Sequence, residues 1–364
     1  MTGQSLPAHA ARAWIDIDLG ALVRNGAALM RRAGAPLLPM VKADAYGLGA
    51  VPVARALERL APWGFGVATV AEGAELRAAG ITRPVVVFTP LLPRDLAAAL
   101  AAELTPTLFR AEDIRAWAPS GRPWHLAIET GMNRAGVPWT QVGALADVLR
   151  AHPPEGAFTH FHSADHDDGS RQQQEQRLRD ALATMPARPP LVHAENSAAL
   201  ERAAPSAWNV VRPGVFLYGV GSGEGSQLQP EPVVSMRARV VDIHDLTEGE
   251  TVSYGARYQA HGSRRVATLA VGYADGYRRA LSLRGPVLVN GREVRVAGVV
   301  TMDMTMIDVT DVPCAVGDVA TLIGRDGQRV LTVEIVARAA DLSPYELLTG
   351  LRGRLPRIYA GPAE

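Results

Sequence analysis

The stretch "LLPMVKADAYG" (37–47) sets an apolar run directly before a lysine and a glycine-bearing turn. A short continuous apolar run of this kind reads as a parallel strand buried on both faces. Seven further runs follow: "FGVATV" (65–70), "PVVVFT" (84–89), "LTPTL" (104–108), "HLAIET" (125–130), "GAFTHF" (156–161), "PLVHAE" (190–195) and "NVVRPG" (209–214). Alanine-rich segments of helical period lie between them. In "LGALVRNGAALM" (19–30), Leu19, Leu22, Val23, Gly26, Leu29 and Met30 share a face. In "TQVGALADVLRAHP" (140–153), Val142, Leu145, Ala146 and Leu149 do the same, with Thr140 in the cap position and Pro153 as the stop. With "LLPMVK" (37–42) there are eight strands alternating with helices. That alternation predicts an α/β fold, a (β/α)8 barrel of the TIM type with its active site at the strands' C-terminal ends.

The pattern breaks at "GVGSGEGSQLQPEP" (219–232), rich in Gly, Ser and Pro as a linker would be. Beyond it the period becomes that of strands, in "MRARVVDIHDL", "RVATLAVGY", "PVLVNGREVRVAGVV", "MTMIDVTDV" and "DVATLIG". Asn290-Gly291 is a strong two-residue hairpin signal. A helical pair near 332–351 precedes the final "LPRIYAG". The expected division is a barrel domain over 1–228 and a mainly β domain over 229–364, with residues 1–14 available to pack with the second.

A chain of 364 residues forms two domains more naturally than one. Its 37 Lys+Arg balance 37 Asp+Glu, so net charge makes no case for nucleic acid or an anionic membrane as partner. The start "MTGQSLPAHAARAW" lacks a signal-peptide core, and no run is apolar enough to span a bilayer, so the expected compartment is the cytoplasm. The single cysteine, Cys314, excludes an internal disulfide framework and a cysteine metal cluster.

Lys42 falls at the end of the first barrel strand. It reads either as a surface lysine whose stem covers apolar rim, or as a desolvated amine able to form a Schiff base. Ser197 in "HAENSAAL" (193–200) stands where a helix opens after the seventh strand, a place suited to phosphate; simple capping by Asn196 or Ser197 is the plain alternative. Gly214 in "VVRPGVFLYG" can offer backbone N–H groups to the same phosphate. Arg212, emerging from an apolar strand, needs an acceptor, and a structural ion pair would serve. "THFHSADHDD" (159–168) invites a metal reading through His160, His162, Asp165, His166, Asp167 and Asp168. A solvated acidic loop after one inward histidine is the better one, and no metal is expected.

Together these motifs resemble the alanine racemase family. "AWIDIDLGALVRN", "PMVKADAYGLG", "GMNRAGV", "FTHFHSAD", "HAENSAA", "VRPGVFLYG", "VSYGARY", "VGYADGYRR", "MDMTMIDV" and "LPRIYAG" occur in the family's order over nearly the whole chain. The resemblance implies a cytoplasmic homodimer with shared active sites, supplying D-alanine for peptidoglycan. Lys42 would hold pyridoxal 5'-phosphate covalently and act as base on one face of the substrate's α-carbon. Tyr254, from the other subunit, would be the base on the opposite face, because a single fixed base serves both faces poorly. Arg212 would face the pyridine nitrogen with His193 behind it. Tyr46, Ser197, Gly214, Val215 and Tyr359 match the family's phosphate-binding positions, and His160, by the cofactor, would sit near Tyr254 and help its hydroxyl reach a usable pKa. Arg134 and the Met302 N–H would hold the substrate carboxylate, with Tyr273 and Asp303 at the entrance.

Two positions depart from the family. Ala127 stands where many members have a lysine that becomes carbamylated beside the substrate arginine, and Asn133 replaces a common glycine. Glu129, Asn133 or a bound chloride could substitute for the missing lysine in orienting Arg134, as chloride does in some relatives. A broader serine/alanine racemase is therefore a second expectation. Rivals are a decarboxylase similar to ornithine decarboxylase, a non-catalytic pyridoxal phosphate carrier and a metal-dependent hydrolase. Arg212 in place of a carboxylate opposes the first, the second domain opposes the carrier, and the His-x-His pair on the sixth strand, where such hydrolases have it on the first, opposes the last.

Overall fold

The computed structural model describes residues 11–203 and 205–361. Of the segment expected to pack with the second domain, residues 1–10 lie outside those described. The described residues fall into two compact units, one of Leu22–Ala45 with Gly49–Glu231, the other of residues 11–21, Tyr46–Leu48 and residues 232–361.

In the first unit six of the eight expected runs form strands, while the first and eighth, 37–42 and 209–214, take part only through isolated parallel bridges. Phe65–Val67, Val85–Val87, Thr105–Leu108, His125–Glu129, Gly156–Phe158 and Leu191–His193 pair in that order, all parallel. Residues 37–41 close the ring, bridging Met40 to Gly66 on one side and Leu37 to Val211 on the other. Several strands are buried at every residue, because helices cover the outer face and side chains fill the inside. Leu38, Val86 and Val210 pack there with Trp63, Phe88 and Leu191. Gly156 has a packing reason, since a Cβ would come within 2.8 Å of the His125 ring.

One expectation fails. Residues 139–145 wind as a 3-10 helix, Trp139–Leu145, before the α-helix Ala146–Ala151, so Thr140 lies inside the first turns and caps nothing. The preceding Pro138 and Gly143 weaken α-helical nucleation there.

The second unit is built on a mixed sheet in which Ala13–Asp18 pairs antiparallel with Val234–Leu246 and parallel with Arg357–Ala360. Along Val234–Leu246, Val234, Met236, Ala238 and Val240 are buried and the residues between them are not, the period-2 pattern of a half-buried strand. Pro286–Val289 and Arg292–Arg295 form the hairpin, with Asn290 at φ 49° and Gly291 at φ 74°, as a primed turn requires. The helices Val333–Ala339 and Pro344–Thr349 complete the unit.

Candidate active site

After Val41 the backbone makes a turn of the unusual hand. Ala43, Asp44, Ala45 and Tyr46 all have φ between 51° and 56°, four consecutive non-glycine residues in the left-handed region. Each costs about 1–2 kcal/mol, so the surroundings must impose the turn. Glu72 does much of this: one carboxylate oxygen accepts from the Ala43 N–H at 2.8 Å and the other from Ala68 N–H at 2.7 Å. The Asp44 side chain accepts from Ala50 N–H at 2.7 Å. Lys42 leads this turn, and its amine is pushed below the usual lysine range by burial first and by Arg134 next, with Glu72 opposing and Arg212 adding.

Arg212 is 3% exposed, and no carboxylate pairs with it among the described residues. Its acceptors are the carbonyls of Thr159, His193 and Ala194 and the ring nitrogen Nδ1 of His193, at 2.6 to 3.1 Å. These use Nη1 and Nη2, and among the described residues none accepts from Nε. Burial lowers the guanidinium pKa to about 9, with Glu195 opposing. His193 in turn meets His125 at 2.9 Å, and His125 faces Glu155 at 3.4 Å. The His193 ring stacks on Phe158, and the Arg212 guanidinium lies 5.2 Å from the same ring's centroid. Burial holds both histidines below the ordinary histidine pKa, so both are neutral. His160, whose Nδ1 is 3.4 Å from Arg212, is lowered to about 3 by burial, then by Arg212, Arg134 and Lys42. Lys42, Arg134, Arg212 and His160 thus share one electrostatic neighbourhood.

The seventh and eighth strand ends meet as the motifs suggest. Asn196 caps the helix Ser197–Arg202 by accepting from Ala199 N–H at 3.1 Å, which leaves the Ser197 hydroxyl to accept from Gly214 N–H at 2.9 Å and Phe216 N–H at 3.3 Å. Val215 starts the following 3-10 turn, Val215–Tyr218, and is buried. On the fifth strand, Ala127 is buried, and Glu129 accepts from the backbone N–H groups of Gly131 at 2.5 Å and Arg134 at 3.2 Å. Neither Glu129 nor Asn133 reaches the Arg134 guanidinium. Asn133 sits at φ 54° in the same turn.

His160 is the one inward histidine of its loop; His162 and residues 165–168 are exposed, and among the described residues no three His, Cys, Asp or Glu gather as metal ligands. Cys314 is half-buried and its thiol pKa is pushed up by burial.

The second unit carries the remaining candidates. Tyr254 is 74% exposed on a turn flanked by Ser253 at φ 67° and Ala256 at φ 51°. Tyr273 and Met302 are exposed on neighbouring turns joined by the Tyr273 N–H to Thr301 O bond of 2.9 Å. Asp303 pairs with Arg354 at 2.8 Å. Tyr359 donates to the Leu48 carbonyl at 3.0 Å, Arg357 donates to the Gly47 carbonyl at 2.7 Å, and Tyr46 is buried with its ring against Tyr345. Burial also pushes the Tyr46 hydroxyl pKa up.

Sequence reasoning missed Glu72, His125 and the left-handed turn. A signal for Glu72 was present, since Thr69-x-x-Glu72 is a capping box, and the structure forms it. His125 had none, because a histidine inside an apolar strand reads as core.

The family profile described as "Alanine racemase, N-terminal domain" matches residues 17–222, and "Alanine racemase, C-terminal domain" matches 233–359. An alanine racemase of Symbiobacterium thermophilum is 40% identical over 366 residues, covering 96% of this chain and 97% of that protein. The crystal structure of alanine racemase from Bacillus anthracis with bound L-Ala-P superposes with a TM-score of 0.90 at 31% identity, covering 98% of this chain and 96% of that one. The alanine racemase of Bartonella henselae with covalently bound pyridoxal phosphate gives 0.89 at 27% identity, covering 96% and 100%. Two domain profiles that together run from residue 17 to residue 359 place this chain in the alanine racemase family.

Proposed function

We propose that the chain interconverts L- and D-alanine with pyridoxal 5'-phosphate held covalently at Lys42, using Lys42 and Tyr254 as bases on opposite faces. The observation that carries this is the gathering of Lys42, Arg134 and Arg212 around a neutral His160, a donor-rich, acceptor-poor neighbourhood suited to an anionic ligand. The residues present fit the cofactor. The unused Nε of Arg212 suits a ring nitrogen, the Ser197 O–H with the Val215 backbone N–H suits a phosphate that would also draw the Gly214 N–H from Ser197, and a lysine with lowered pKa is the nucleophile that an aldehyde requires. Tyr46 and Tyr359 complete the phosphate contacts in this reading. The ligands named for the Bacillus and Bartonella structures, L-Ala-P and covalently bound pyridoxal phosphate, support the same choice of substrate and cofactor.

When bound, pyridoxal phosphate supplies the electron sink that makes the α-C–H of an amino acid acidic. Arg134 holds the substrate carboxylate together with the Met302 N–H of a second copy of the chain. Lys42 Nζ moves the proton on one face and the partner's Tyr254 hydroxyl on the other, with His160 beside it. Arg212, with His193 behind it, would disfavour protonation of the ring nitrogen, which would weaken the electron sink, shorten the life of a full carbanion and so suppress transamination. The exposure of Tyr254, Tyr273 and Met302 on one unit supports their service to a partner's site in a homodimer. Among the described residues no helix is long and apolar enough to cross a membrane, in keeping with a cytoplasmic enzyme that provides D-alanine for peptidoglycan.

Purified protein should absorb near the visible edge, and borohydride should remove that band together with activity. Colourless protein that stays inactive with added cofactor refutes the proposal. A broader serine/alanine racemase is the second reading, favoured by Ala127 and by the lack, among the described residues, of a carboxylate on the Arg134 guanidinium. Racemisation rates over a panel of L-amino acids, with and without chloride, separate the two.

A further inference from the structure

Gln174 lies in the helix Ser170–Ala183, where Gln172, Gln173 and Gln176 are exposed and Gln174 alone of the four is buried, at 1% exposure. Its amide is fully engaged. Oε1 accepts from His162 N–H at 3.0 Å, while Nε2 donates to the His160 carbonyl at 3.1 Å and to the Thr130 hydroxyl at 3.2 Å. A backbone N–H and a backbone C=O fix which end is oxygen and which is nitrogen. The Thr130 hydroxyl, which accepts from Gln174, also shares a hydrogen bond of 2.6 Å with the Thr159 hydroxyl, in which either oxygen can donate. The Thr159 carbonyl accepts from Arg212 at 2.7 Å, and the Thr130 carbonyl accepts from Arg177 at 2.8 Å.

One buried amide therefore ties the segment entering the Arg134 turn to the strand end that carries His160, and through Thr159 to Arg212. Leucine would suit the same helix face, which buries Leu178, Ala181 and Leu182, and would need no partners. An amide instead specifies one register between the two strand ends, since any slip leaves a buried polar group unpaired. We infer that Gln174 is a positioning residue for the reaction, setting the Arg134 turn against His160 so that the substrate carboxylate is held in register with the bases. This rests on the proposed role of Arg134.

The test uses the holoenzyme and three variants. Gln174→Met should raise KM for L-alanine by about tenfold or more while the cofactor absorbance band persists. Gln174→Glu should do the same at neutral pH and recover as the pH falls, because the buried carboxyl, once protonated, can donate to the His160 carbonyl again. The Met variant should show no such recovery. Arg134→Lys serves as reference. If it raises KM while both Gln174 variants stay within about twofold of the parent, the inference falls and the function stands. If Arg134→Lys leaves KM unchanged, the role of Arg134 fails and the inference with it. A Gln174→Met enzyme that loses the absorbance band, or a Gln174→Glu enzyme without pH-dependent recovery, assigns the residue to general packing and also overturns the inference.

Discussion

Nη1 of Arg212 lies 2.7 Å from Nδ1 of His193. A guanidinium only donates, so this nitrogen of His193 is the acceptor and its proton sits on Nε2. Nε2 then donates to His125 Nδ1 at 2.9 Å, which puts the His125 proton on the Nε2 that faces Glu155. The arginine thus dictates the tautomers of two buried rings in succession.

Replacing the middle ring should be felt at both ends. In His193→Leu, His125 keeps a buried nitrogen without a donor, a loss of about 1–3 kcal/mol in stability. Arg212 keeps its carbonyl acceptors but loses its ring partner, so turnover should fall while cofactor binding persists. Urea unfolding and steady-state kinetics check the two parts; unchanged stability would mean that the rings do not form a relay.

The pH dependence of stability follows from His160. Its folded pKa is about 3 and the unfolded value is near 6.5, so between these limits the unfolded chain holds the extra proton. Stability from this residue is complete above pH ~6.5 and is lost on acidification by up to about 1.4 kcal/mol per pH unit. Glu195 and Glu201, raised by burial, act in the opposite sense, so the comparison is made against His160→Gln. The parent's unfolding midpoint should drop more steeply than the variant's from pH 7 to pH 5. Parallel curves would place the His160 ring in water.

Ser197 supports the turn that begins at Gly214 with two accepted hydrogen bonds. Ser197→Ala should weaken pyridoxal phosphate binding by about tenfold, on the order of 1.4 kcal/mol, with little change in turnover once saturated. Titration of the absorbance band reads this directly, and an unaltered affinity would leave Ser197 a purely structural tie.

Two-base chemistry predicts a separation of exchange from racemisation. In Tyr254→Phe, the Lys42 face should still exchange the α-proton of D-alanine in deuterated water while net racemisation falls by at least about a hundredfold. Equal loss of both would make Tyr254 structural. Mixing Lys42→Ala with Tyr254→Phe subunits should restore part of the activity, since a mixed dimer contains one intact site; no recovery after demonstrated subunit exchange counts against shared sites.

The barrel was legible because each of its strands is a run that needs no side-chain alternation, and the hairpin at Asn290-Gly291 because few dipeptides take two positive φ values. Thr140 misled because it stood before a periodic segment whose first turns are 3-10. Lys42, Arg134, Ser197 and Arg212 could be named from motifs. What holds them could not, since the Thr69-x-x-Glu72 capping box marks a helix start but not the Ala43 N–H that Glu72 reaches 29 residues back, and Gln174, 44 residues from Thr130, carries no local mark.

The sequence by itself determined the order of elements and the candidates for the reactive groups, because periodicity, turn chemistry and side-chain type are local properties. Only the tertiary structure decided the left-handed turn after Lys42, the tautomers of His193 and His125, and the neutral state of His160. Those depend on burial and on hydrogen-bond partners brought together from distant strands, and neither exists until the barrel closes.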